Sequence, residues 1–361
     1  MTDRVVIKVG SKVLTRKDGT IDITRMSSLV DQIADLRRSG KEVILVSSGA
    51  VACGRSMLKV SKKLDSVDQR QLFSAIGQVR LINLYYQLFR DHGIRIGQVL
   101  TMKESFSTRR EYLNQRNCME VMLRSDVLPI VNENDTVSVT ELMFTDNDEL
   151  SSLIASMMDA ETLILLSSVD GIYDGPPSDP ESRVIPEVSV DADLSRYIQE
   201  EKSSLGRGGM SSKFSSARNA ALEGIEVIIA NGTRDDILTA LAERPEQIPH
   251  TRFLPAAGVS RIKKWIAHSG GFAKGGVRIN ADAAKALRGP DAVSLLLVGV
   301  TSVDGDFEEG DIIPIQDENG VRIALGKSGY NSGEARKLLG ARNQKPLVHY
   351  NYLFMEGKKD G

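Results

Sequence analysis

Six short apolar runs rich in β-branched residues, alternating with segments of helical period, constrain this chain more than any other feature. The runs are Val5–Val9, Val43–Val46, Ile94–Leu100, Val127–Val131, Thr162–Leu166 and Ile225–Ile229. Each has the length of a buried strand. Helix-period segments fall at Met26–Ser39, Asp68–His92, Arg110–Arg124, Glu149–Met158 and Ser212–Glu223. Strand and helix in alternation predict an α/β fold with a largely parallel sheet covered on both faces. In such sheets ligands bind at the C-terminal edge of the strands.

Charge and cysteine content narrow the function. Over 361 residues, 46 Lys+Arg stand against 48 Asp+Glu, a formal charge of −2. That balance lacks the basic excess of a general phosphate-backbone binder. Cys53 and Cys118 form no CxxC and do not cluster in sequence with the four histidines, so neither a disulfide framework nor a zinc site is indicated. No stretch approaches about 18 consecutive apolar residues, and the start reads as a first strand, so a cytoplasmic protein with no membrane contact is expected.

The pattern changes towards the end of the chain. Arg244 to Gly258 carries Pro245, Pro249 and Pro255 without a clear period and reads as a linker. After Gly275-Gly276 come short strands, including Ser294–Val300, Ile312–Ile315 and Val321–Leu325, with one helical piece at Ala281–Leu287. The expected division is a larger domain over 1–255, a linker over 256–274, a small β-rich domain over 275–352 and a frayed tail over 353–361. Gly320 to Ser328 resembles a phosphate-binding loop, but five residues separate its glycines where four are needed. It reads as a hairpin turn.

Four segments hold polar groups where the predicted strands end or helices begin. In Ile7-Lys8-Val9-Gly10-Ser11 a lysine stands among residues that should be buried, and an unpaired buried ammonium is costly. Lys8 must lie at an edge, meet a carboxylate or face an anion. Gly206 to Lys213 combines glycines with a helix start, a pattern that favours phosphate, or is a loop before a solvated lysine. Asp146-Asn147-Asp148-Glu149 precedes a helix and supplies either an N-cap or an organiser for lysines and a magnesium-bound nucleotide. Asn132-Glu133-Asn134-Asp135 adds a polar cluster after a strand.

Lys8-Val9-Gly10-Ser11, Ser47-Ser48-Gly49-Ala50, Asn132 to Asp135, Asp146 to Asp148 and Gly208 to Lys213, in this order, resemble the amino acid kinase family. The resemblance is closest to its glutamate-phosphorylating members, many of which carry a C-terminal PUA domain like residues 275–352. It implies a three-layer α/β/α sandwich that transfers the γ-phosphoryl group of ATP, with Mg²⁺ bound mainly through the nucleotide, to the side-chain carboxylate of L-glutamate. The product, L-glutamyl 5-phosphate, would be the first intermediate of proline synthesis.

By the same resemblance Lys8, Asp148 and Lys213 are catalytic, and Ser48, Asp135 and Asn147 bind glutamate. Ser167, Ser168, Arg207, Gly208, Gly209, Met210, Ser211, Ser212, Lys213 and Lys8 bind the nucleotide. Ser168 stands where an acidic residue is common; Arg207, Lys12 and Thr145 stand where small residues are usual. The resemblance further implies a homo-oligomer, feedback inhibition by proline and functional coupling to glutamyl phosphate reductase.

The competing readings are a family member acting on aspartate, acetylglutamate, carbamate or UMP, and an RNA-binding PUA protein. From Gly275 onward 11 Lys+Arg face 12 Asp+Glu, which weighs against RNA.

Overall fold

The computed structural model describes residues 3–58, 64–106, 109–137, 144, 146–176, 179–190, 192, 210–256, 266, 275–289, 293–341 and 344–355. The chain divides into a larger unit, residues 1–103 and 116–257, and a smaller one, residues 104–115 and 258–361.

In chain order the larger fold runs β1 (Arg4–Val9), α1 (Ser11–Leu14), α2 (Ile23–Arg38), β2 (Glu42–Ser47), α3 (Ala50–Met57), α4 (Ser66–Asp91), β3 (Arg95–Thr101), α5 (Arg109–Arg124), β4 (Val127–Glu133), α6 (Asn147–Met157), β5 (Thr162–Ser167), β6 (Glu187–Val188), α7 (Met210–Leu222), β7 (Glu226–Asn231), α8 (Ile237–Glu243) and β8 (His250–Phe253). These strands form one sheet in the order β3-β4-β2-β1-β5-β7-β8-β6. The pairs from β3 to β7 are parallel. Strand β8 runs antiparallel to β7 and carries β6 beside it. The expected α/β fold with a mostly parallel sheet is what the chain adopts.

Alternation along β1 decides what each face meets. Val5, Ile7 and Val9 join the core formed with α2, α4 and α8, where Leu29, Ile33, Leu81, Phe89, Ile237 and Leu238 are buried. Each such side chain contributes roughly 1.5–3 kcal/mol through burial. Val6 and Lys8 point the opposite way, to the face on which α6 packs. Lys8 is therefore not an edge residue. It sits in a central strand, 4% exposed.

Three glycines shape the chain after β2 and its packing on α4. Gly49, the residue before α3, has φ +108°, a left-handed conformation that side chains disfavour. Helices α3 and α4 then touch backbone to backbone. A Cβ added at Gly77 would lie 1.8 Å from the Ala50 carbonyl oxygen, and one at Gly54 would lie 1.9 Å from that of Phe73.

Part of the proline-rich linker reading is corrected. Residues 245–247 form a 3-10 turn and His250–Phe253 is a strand of the main sheet, because Thr251 and Phe253 are buried beside β7. Three prolines mask a strand of only four residues. Most of the expected linker lies outside the described residues; the expected tail over 353–361 is corrected at its start, because Leu353–Met355 pair as a strand of the smaller unit's sheet, and 356–361 lie outside the described residues.

The smaller unit comprises β9 (Gly276–Ile279), α9 (Ala281–Arg288), β10 (Val300–Asp304), β11 (Ile312–Gln316), β12 (Arg322–Lys327), α10 (Ser332–Lys337) and β13 (Leu353–Met355). Its five strands are ordered β10-β9-β11-β12-β13 around a core that includes Val277, Ile279, Ile313, Ile315, Leu347 and Val348. The strand expected over Ser294–Val300 is displaced. Leu295 makes an isolated bridge to Val348, Leu297–Gly299 form a 3-10 turn and the strand begins at Val300. Gly320 turns the β11–β12 hairpin and builds no phosphate loop.

Candidate active site

The polar motifs converge at the C-terminal edge of the sheet. Asp146 caps α6, accepting hydrogen bonds from the Asp148 and Glu149 backbone N–H groups at 2.9 and 3.0 Å. Capping and a role in the site are thus compatible, since the cap presents Asp148 on the first turn. Asp148 is 1% exposed and meets Lys8 Nζ at 2.6 Å through Oδ1 and Lys213 Nζ at 2.8 Å through Oδ2. Burial alone would raise its pKa. The two ammonium groups, Lys8 before Lys213, overcome that and hold the carboxyl below its ordinary value of 3.8.

Lys213 arrives on the first turn of α7, whose Ser212 hydroxyl donates to Asp146 Oδ2 at 2.5 Å. Burial and repulsion from Asp148 push Asp146 up, against opposing effects of Ser212, the Glu149 N–H and Lys8. Two contacts therefore fasten the start of α7 to the start of α6. Met210 and Ser211 share that turn, whereas Arg207, Gly208, Gly209 and Thr145 lie outside the described residues.

A second group adjoins the first through Asn147. Its side-chain amide nitrogen reaches the Ser47 carbonyl at 3.2 Å, Ser48 Oγ at 3.0 Å and Asn132 Oδ1 at 3.1 Å. Asn132 in turn donates to Gln78 Oε1 at 3.0 Å. Asp135 accepts from Ser74 Oγ at 3.1 Å through Oδ2 and pairs with Arg70 through Oδ1. Ser48, Asn147 and Asp135 are thus linked by residues of α4 and β4.

Ser167 ends β5, next to β1, and Ser168 follows it. Ser167 is buried and Ser168 exposed. The adjoining Asp170 accepts from both Arg234 Nε and Nη2, at 2.7 and 2.8 Å, and from Asn231 Nδ2 at 3.1 Å. The Arg234 hydrogen bonds hold its carboxyl below the usual range. Asp170 fastens the turn after β5 to the end of β7.

Residues 3–231 match the family described as the amino acid kinase family, and residues 275–349 match the PUA domain. This chain belongs to the amino acid kinase family. It is 61% identical over 354 residues to a glutamate 5-kinase of Bacteroides thetaiotaomicron, spanning 98% of both chains. It is 44% identical to a glutamate 5-kinase of Chlorobaculum tepidum, over 98% of this chain and 97% of the relative. A third, from Trichlorobacter lovleyi, is 40% identical over 97% and 93%.

For this family member, sequence reasoning missed Arg70, Ser74 and Gln78 and gave Glu133 no role. A signal existed: three polar residues at four-residue spacing on a helix occupy one face. Among the described residues, no cluster of three His, Cys, Asp or Glu side chains could hold a metal ion. Both Asp148 oxygens already meet ammonium groups. Among the described residues, too, no helix is long and apolar enough to cross a membrane.

Proposed function

We propose that this chain transfers the γ-phosphoryl group of ATP to the side-chain carboxylate of L-glutamate, giving ADP and L-glutamyl 5-phosphate, the first step of proline synthesis. The observation that carries the reading is the buried Lys8–Asp148–Lys213 triad, in a chain 61% identical to a glutamate 5-kinase along nearly its whole length.

The chemistry follows from the charges. A glutamate side chain, with an ordinary pKa of about 4.3, is ionised at neutral pH and needs no general base. One carboxylate oxygen bonds to the γ-phosphorus as the bond to the bridging oxygen breaks, and ADP leaves with that electron pair. The transfer requires in-line positioning and neutralisation of charge on the phosphoryl oxygens. Each lysine ammonium has three donors, so Lys8 and Lys213 can each hold Asp148 and still turn others to phosphate. Mg²⁺ carried by the triphosphate would add to the neutralisation of its charge.

Ser48, Asn147 and Asp135 hold the acceptor amino acid, with Asp135 on its α-ammonium. Ser167, Ser168, Met210, Ser211 and Ser212, with Arg207, Gly208 and Gly209, hold the nucleotide together with Lys8 and Lys213. We assign a kinase domain to 1–255, a linker to 256–274, a PUA domain that starts at 275 and takes in the strand Leu353–Met355, and a tail from 356, in a cytoplasmic homo-oligomer. Proline, which shares an α-carboxylate and an amine with glutamate, competes for the acceptor site, and the labile acyl phosphate passes to glutamyl phosphate reductase.

Release of ADP against L-glutamate, aspartate, N-acetylglutamate, carbamate and UMP, with hydroxylamine trapping of the acyl phosphate, tests the reading. Turnover is expected with L-glutamate and suppressed by proline. Turnover of another acceptor with none of L-glutamate would overturn it.

A further inference from the structure

Arg70, Ser74 and Gln78 project from one face of α4 onto the end of β4 and the turn after it. Arg70 Nη2 donates to Glu133 Oε2 at 2.6 Å and also pairs with Asp135. Ser74 donates to Asp135 and Gln78 accepts from Asn132. Glu133 and Asp135 are 4% and 7% exposed. The Glu133 carboxylate also accepts from the Phe144 N–H at 3.1 Å. These three ionisable groups, two carboxylates and one guanidinium, sum to one negative charge.

An unbalanced charge in a buried setting is costly, and a cation that completes the set is favoured. The strain falls on Glu133: burial raises its pKa, Arg70 opposes this, and repulsion by Asp135 adds to it. If Glu133 were neutral, Arg70 would offset more of the Asp135 charge and the attraction for an incoming cation would weaken.

We infer that Arg70 and Glu133 are positioning residues that set the charge of the acceptor pocket, so that it selects acids carrying a free α-ammonium group, which Asp135 contacts. The inference rests on the L-glutamate reading above. It gives Glu133 a function without substrate contact. It also accounts for a half-buried arginine shared between two buried carboxylates where one carboxylate would suffice for an ion pair. A dicarboxylic acid without the amine, such as glutarate, leaves the negative charge uncompensated.

Three variants of the full chain separate charge from geometry: Glu133→Gln, which makes the set neutral; Arg70→Lys, which keeps its charge; and the double variant Arg70→Gln/Glu133→Gln, which restores one negative charge. Glu133→Gln should raise KM for L-glutamate at least tenfold and leave KM for ATP unchanged. It should also shrink the preference for L-glutamate over glutarate, measured as competitive inhibition. The double variant should recover at least threefold of the lost KM.

A Glu133→Gln KM below that threshold, or a double variant without that recovery, overturns the inference. Should Glu133→Gln fail to fold, Arg70→Lys and the double variant decide. Both must keep the preference over glutarate, and its loss in either overturns the proposal. Wild-type protein that fails to phosphorylate L-glutamate would instead refute the functional reading itself.

Discussion

Replacing Asp148 by Asn tests the centre of the site, because it keeps the shape of the side chain and removes the one charge that both lysines face. The carboxylate is 1% exposed with ammonium nitrogens at 2.6 and 2.8 Å. At an effective dielectric of about 20, each charge pair near 4 Å is worth about 4 kcal/mol before desolvation is counted. Removing one partner of a buried pair costs about 3–5 kcal/mol net. At roughly 2–4 °C per kcal/mol for a domain of this size, the melting temperature should fall by roughly 6–20 °C.

ATP should restore more stability to the variant than to the wild type, since a triphosphate meets two uncompensated ammonium groups. Turnover should fall by about 10²–10³ because those groups lose their alignment. Differential scanning fluorimetry with and without ATP, alongside hydroxamate formation, measures both. The pH dependence has a definite sign. The Asp148 pKa is depressed, so its stabilisation is present above the ordinary value of 3.8 and is lost as pH falls through the lower folded value. The gap between wild type and variant should therefore close at the acid end. An Asp148→Asn protein that melts with the wild type and turns over within twofold of it would refute the reasoning.

Lys213→Ala should lower kcat by about 10²–10³ with the circular dichroism spectrum unchanged; a solvated lysine would leave turnover intact. Asp135→Ala should raise KM for L-glutamate well above any change in KM for ATP, and equal losses in steady-state kinetics would mark a structural Asp. Gly77→Ala should cost about 1–3 kcal/mol in denaturant unfolding, because its methyl group would overlap the Ala50 carbonyl. Unchanged unfolding would mean that α3 and α4 can separate.

The main strands and long helices were legible because buried parallel strands are continuous apolar runs and the helices between them keep a 3.6-residue period. Lys8 announced itself by being a charge in such a run, and Asp148 by following a cap. The α4 stripe escaped because Arg70, Ser74 and Gln78 look individually like solvated positions, and only the fold places the end of β4 beside them. Strand β8 escaped because prolines flank a four-residue segment. The contacts of Ser212 with Asp146, and of Arg234 with Asp170, join residues 66 and 64 positions apart. No local pattern encodes them.

The glycine contacts between α3 and α4 carry a consequence for how the proposed acceptor pocket could change. Ser48 lies just before α3, and Ser74 and Gln78 lie along α4, so the distance between these polar groups is set by two main chains already touching. No side chain between them at Gly54 or Gly77 could be trimmed to bring the helices closer. Adding one would tilt the whole polar wall. A shorter or longer acceptor must therefore be accommodated by exchanging the projecting side chains, with the scaffold spacing left as it is.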